Sequence, residues 1–101
     1  LVQEKRVHPR VPVDISVTRE LKDRPAFQGV AKDLSLGGMF VETTESLPFN
    51  TQLTIVVRIP GMDVDSRIPG VVRWAKPNGI GVQFGMLGAR ETHAMTKLMR
   101  S

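Results

Sequence analysis

Residues 11–18 alternate without a break: Val11, Val13, Ile15 and Val17 against Pro12, Asp14, Ser16 and Thr18. β-Branched residues at every second position give an extended chain one apolar and one polar face, the mark of a half-buried strand. The same period returns at Leu53, Ile55, Val57 and Ile59, and again at Ile80, Val82 and Phe84. A chain of 101 residues can build one core but not two, so these runs belong to a single, mainly β domain.

The segments between the runs complete the pattern. Arg19 to Pro25 is polar and charged and reads as a loop, and Phe27 to Asp33 reads as a second strand with Gly29 marking a bulge. The Leu36-Gly37-Gly38 turn leads into a third strand, Met39 to Thr43. Pro48 and Asn50 separate it from the Leu53–Ile59 strand, which Pro60-Gly61 ends. Val64 to Trp74 is a fifth strand, in which Pro69 argues for an edge position or a kink. Lys76-Pro77-Asn78-Gly79 is a turn before the last strand. From Leu87 to Met99 the period changes: Leu87, Ala94, Met95, Leu98 and Met99 fall on helical spacing, with Glu91, Lys97 and Arg100 on the polar side. Short strands with frequent turns predict a small antiparallel barrel or a strongly curled sheet, with the C-terminal helix covering one open end or face.

Several function classes have no residues to support them. There is no cysteine for a disulfide or a thiolate metal site. His8 and His93 have no second histidine or carboxylate at ligand spacing, so no metal or cofactor is expected. A strained Gly-x-Ser-x-Gly elbow and a phosphate-binding glycine loop opening a helix are both missing, and the chain reads as a non-enzyme. No apolar run is long enough to span a bilayer and no signal-peptide layout opens the chain, which fits a cytoplasmic protein. A chain beginning at Leu1 rather than Met reads either as a trimmed chain or as a domain cut from a longer protein. The net charge of +4 favours an anionic partner. A basic barrel that binds RNA or DNA is one alternative, although four Phe, one Trp and no Tyr make a sparse set of stacking platforms.

Two motifs carry the chemistry. Arg6-Val7-His8-Pro9-Arg10 precedes the first strand, and Asp33-Leu34-Ser35-Leu36-Gly37-Gly38 follows the second. A hairpin centred near Lys22 brings Val11 close to Asp33, so both motifs meet at one end of the sheet. Arginine presents a planar fork that matches phosphate oxygens and the O6/N7 edge of guanine. A carboxylate such as Asp33 accepts from the N1–H and exocyclic amine of guanine, and Ser35 can donate or accept. Gly37 and Gly38 lack Cβ atoms, which permits positive φ and close backbone approach to a ligand. The constellation suits a phosphate-bearing, guanine-like ligand. The bland alternative is a solvated basic tail beside an Asp/Ser turn that caps its own backbone.

These residues resemble the PilZ domain, a bacterial receptor module for cyclic di-GMP. That family carries Arg-x-x-x-Arg just before its first strand, matched by Arg6 and Arg10, and Asp/Asn-x-Ser-x-x-Gly later, matched by Asp33, Ser35 and Gly38. Gly70-Val71-Val72-Arg73-Trp74 and Gly79-Ile80-Gly81-Val82-Gln83-Phe84 resemble its late hairpin, and the helical tail fits its last helix. The resemblance implies a six-stranded antiparallel β-barrel over residues 11–101 and a switch segment, residues 1–10, that folds over the nucleotide. It implies that Arg6 and Arg10 contact phosphates and guanine edges, that Asp33 and Ser35 hydrogen-bond a guanine, and that Gly38 lets the turn approach. Lys5 stands where many members carry arginine and offers a third cation for a second stacked ligand molecule. Trp74 offers an aromatic face. The implied role is that of a second-messenger receptor signalling to a partner protein; a related alternative is a PilZ-like interaction module without nucleotide.

Overall fold

The computed structural model describes residues 10–45 and 47–100. Residues 1–9 of the expected switch segment, with Lys5 and Arg6, lie outside the described residues. Six strands form the fold: β1 Val11–Leu21, β2 Arg24–Leu34, β3 Gly38–Glu42, β4 Gln52–Val57, β5 Ser66–Lys76 and β6 Gly79–Phe84. They close an antiparallel barrel in the order β1-β2-β3-β6-β5-β4, followed by helix α1, Ala89–Arg100. The inner face collects the alternating residues: Val17, Val41, Ile55, Val57, Val72, Ile80 and Val82 are all nearly inaccessible. Ala94 and Met95 of α1 join that core, with Leu87, Leu98 and Met99 packed beside them. A fully buried aliphatic side chain contributes about 1.5–3 kcal/mol, so this inner face dominates the stability of the barrel.

The structure corrects four local expectations. The segment 19–25 is not a loop, because β1 and β2 pair through Arg19↔Phe27 to Leu21↔Arg24 and leave only Lys22 and Asp23 to turn. The polar run misleads there because Arg19 is buried rather than solvated. Gly29 pairs regularly with Val17, and a Cβ on it would lie 2.7 Å from Val41 Cγ1, so its role is close packing and not a bulge. Pro69 sits in a closed barrel rather than on an edge strand. It lies one residue beyond the start of the β5–β6 ladder at Gly70↔Phe84, where its missing N–H interrupts nothing. Glu91 turns towards the barrel rather than to the polar side of α1: its carboxylate accepts a 2.8 Å hydrogen bond from the buried Ser66 hydroxyl. That bond, with the backbone amide at Glu91, holds the carboxyl below its ordinary pKa.

Bulges aim the outer face. Ala31 and Leu34 are both buried although three residues apart, which strict alternation forbids. The β2–β3 ladder steps from Ala31↔Val41 to Asp33↔Phe40, so Lys32 is the extra residue and Asp33 is turned outwards. Lys32 pairs with Asp14 across the surface at 3.3 Å. The same device recurs in β5, where Val72↔Val82 is followed by Trp74↔Gly81. Arg73 is inserted there, and Trp74 leaves the inward face that Val72 holds.

Candidate functional site

The glycine turn is built by its own serine. The Ser35 N–H donates to the Gly38 carbonyl at 2.9 Å. Its hydroxyl accepts from the Gly37 and Gly38 amides, both at 3.1 Å, and donates back to the Gly38 carbonyl at 3.3 Å. One donor and two acceptor sites exhaust a hydroxyl, and Ser35 is buried. The local-capping reading therefore describes this side chain. The Gly37 carbonyl accepts from Phe84 N–H at 2.9 Å, which locks the turn to the end of β6. Gly38 is required by its neighbour: a Cβ there would stand 2.1 Å from the Val82 carbonyl oxygen. Positive φ is not what these glycines supply, since among the described glycines only Gly61 has it.

Asp33 is the polar centre. Its Oδ1 accepts from Arg10 Nη1 at 2.5 Å and from the Phe40 amide at 3.1 Å. The two motifs thus meet at one end of the β1–β2 hairpin, with Pro12↔Asp33 as the local pairing, one residue from the expected register. An exposed ion pair of this kind contributes at most about 1 kcal/mol, so its importance is positional.

From Asp33 a single cross-strand row runs round the outside of the barrel: Asp33↔Phe40, Phe40↔Gly81 and Gly81↔Trp74. Strands are about 4.8 Å apart, so two rings separated by an intervening strand meet only if that strand presents no side chain. Gly81 provides the gap; a Cβ there would lie 2.2 Å from Trp74 Cε2. Gly79 clears the other side, where a Cβ would lie 2.5 Å from Phe40 Cζ. Phe40 and Trp74 stack across this floor with centroids 5.3 Å apart and planes 10° from parallel. Lys76 Nζ stands 5.1 Å from the Trp74 ring centre, and Trp74 is 40% exposed. Gly81→Ala is therefore expected to push the indole off the shelf. A red-shifted Trp74 emission with an intact far-ultraviolet spectrum checks this, and unchanged emission would contradict it.

The structure brings together Arg10, Asp33 and the Ser35–Gly38 turn, and it places Trp74 in the same row. Phe40 is the residue that sequence reasoning missed. Its signal was its outward parity, between the inward Met39 and Val41 of β3, where a solvated strand face ordinarily carries a polar residue. Lys76 had been read only as part of a turn.

A model described as "PilZ domain" matches residues 4–100. The chain belongs to the PilZ domain family. As such it is a receptor or adaptor module and not a catalyst. A curated relative, the cellulose synthase catalytic subunit (UDP-forming) of Xanthomonas axonopodis pv. citri, is 26% identical over 82 residues. That match takes in 81% of this chain but only 11% of the relative. Among solved structures, the Bacillus subtilis inhibitor of motility MotI/DgrA superposes with a TM-score of 0.75 at 18% identity, covering 95% of this chain and 50% of that one. The PilZ domain of Escherichia coli YcgR with c-di-GMP gives a TM-score of 0.74 at 14% identity, covering 94% and 88% respectively. At those identities the likeness is one of fold. No helix among the described residues is long and apolar enough to cross a membrane.

Proposed function

We propose that this PilZ domain is a receptor for cyclic di-GMP that passes the binding event to a partner protein. The observation that carries this reading is the outer row in which an Arg10-paired carboxylate stands beside a two-ring shelf. A guanine offers that row what it complements: a donor edge for Asp33, a flat face for an aromatic and phosphates for cations. Arg10 exchanges its bond to Asp33 for the ligand, leaving the carboxylate to accept from guanine N1–H and the exocyclic amine. Arg6 adds the second guanidinium. Lys76 and Lys5 add further positive charge beside the phosphates. Ser35, Gly37 and Gly38 serve the ligand indirectly, by holding the corner that fixes Asp33. The PilZ domain of YcgR described with c-di-GMP shares the fold and supports the choice of ligand.

The same reading makes residues 1–9 the part that changes on binding, because they carry Lys5 and Arg6 and no apolar pattern that would pack them. Hydrogen–deuterium exchange should show increased protection there on adding cyclic di-GMP. Equal exchange with and without the nucleotide would remove the switch from the proposal.

A further inference from the structure

The outer row does not end at Trp74. The bulge in β5 leaves Arg73 unpaired between Val72↔Val82 and Trp74↔Gly81, so two consecutive residues, a guanidinium and an indole, are exposed on the outside of the barrel. Trp74 leans over β6, where Gly81 makes room for it. Arg73 lies against the loop that leads into β4: its Cζ stands 5.5 Å from the ring centre of Phe49.

Phe49 is fixed for this contact. The Asn50 N–H donates to the Val72 carbonyl at 2.7 Å and the Val72 N–H to the Thr51 carbonyl at 2.9 Å, so the turn is tied to the residue before Arg73. The Thr51 hydroxyl and N–H both donate to the Pro48 carbonyl, at 2.7 and 3.2 Å, and Asn50 takes a left-handed φ of 73°. Phe49 is nevertheless 62% exposed and joins no core. A ring left in solvent gains little from burial. Stacked on a guanidinium, it fixes the cation's position and leaves the N–H edge of the planar fork free. Among the described residues nothing uses that edge: Arg10, Arg58 and Arg67 each face a carboxylate, whereas Arg73 has neither a carboxylate nor a hydrogen-bond acceptor.

Position decides what the fork is for. Arg10 stands at the β2 end of the row, on Asp33, and Arg73 at the β5 end. β3 and β6 lie between them, and three steps of about 4.8 Å set the ends about 14 Å apart. The stacked rings of Phe40 and Trp74 floor the space between. One phosphate held at Arg10 leaves Arg73 unused, whereas a ligand with two phosphates and flat bases engages both ends. On the reading of the row as a cyclic di-GMP site, on which this depends, we propose that Arg73, held by Phe49, is a second anchor that takes the phosphate farther from Asp33.

The test is isothermal titration of the whole chain with cyclic di-GMP in wild type, Arg73→Ala, Arg73→Lys, Phe49→Leu and Lys22→Ala, with melting curves to show that each is folded. Lys22 lies in the β1–β2 turn, at the other end of β1 from Arg10, and reports the effect of removing one distant positive charge. Arg73→Ala should lose about tenfold in affinity, as expected for one charge-assisted bond. Arg73→Lys keeps the charge without the planar fork and should lose about threefold. Phe49→Leu, which frees the guanidinium, should also lose about threefold. Lys22→Ala should change affinity by less than about twofold. In the phosphorus resonance spectrum of the bound nucleotide, Arg73→Lys should move one signal and leave another in place. A loss in Arg73→Ala no larger than in Lys22→Ala would overturn the proposal while leaving the cyclic di-GMP site standing. Unmoved phosphorus signals in Arg73→Lys would do the same, as would full affinity in Phe49→Leu. No binding by the wild type would remove the site itself, and the anchor with it.

Discussion

Asp33→Ala is expected to weaken cyclic di-GMP binding by about 100-fold while the barrel stays folded. A hydrogen bond to a charged group contributes about 1.5–3 kcal/mol. A carboxylate that accepts from both N1–H and the exocyclic amine of guanine therefore loses about 3 kcal/mol on truncation, and each 1.4 kcal/mol is about tenfold in affinity. One further loss acts in the same direction: the Phe40 amide loses its acceptor beside the shelf. Asp33→Asn keeps an oxygen for the Phe40 amide and for one guanine donor but not the charge, so its loss should be smaller, about tenfold. The exposed Arg10–Asp33 pair contributes little to folding, so the melting temperature should move by only a few degrees. Calorimetric titration of both variants checks the order. Equal affinities for wild type and Asp33→Ala would remove Asp33 from the site.

Gly38→Ala is expected to have the largest effect on stability. The added methyl would meet the Val82 carbonyl oxygen at 2.1 Å, and that oxygen belongs to the paired β6 strand rather than to a side chain able to swing away. Overpacking against rigid structure costs about 1–3 kcal/mol and sometimes more; because the atoms met, those of Val82 and Gln83, are all backbone of β6, the upper end applies. At roughly 4–8 °C per kcal/mol for a domain near this size, melting should fall by about 15 °C or more. A glycine present only for ligand approach would behave differently: alanine would lower affinity and leave melting unchanged. Thermal denaturation followed by circular dichroism separates the two roles.

The frame of the domain was legible because its strands obey one local rule. Alternation in β1, β4 and β6 follows from each residue's own chemistry, and the meeting of Arg10 with Asp33 needed only an antiparallel hairpin. What escaped depends on neighbouring strands. Lys32 and Arg73 are bulge residues, and each moves a side chain of the candidate site, Asp33 or Trp74, to the outer face. The odd spacing of the buried Ala31 and Leu34 was the available sign of the first. Nothing comparable marks the second, because Val72 and Trp74 share a parity that would send both inwards. Gly81 and Phe40 acquire their purpose only once β3, β6 and β5 lie side by side. Arg19 was misread for the same reason: its partners, Phe27, Thr43 and Glu45, come from β2 and the segment after β3.

The most direct measurement is isothermal titration of the purified chain with cyclic di-GMP, with GTP and cyclic AMP as controls. Saturable heat with cyclic di-GMP at micromolar concentrations, none with either control, and its loss in Asp33→Ala are the results expected of a receptor built on the Arg10–Asp33 row. No saturable heat with cyclic di-GMP, or equal binding of GTP, would contradict it.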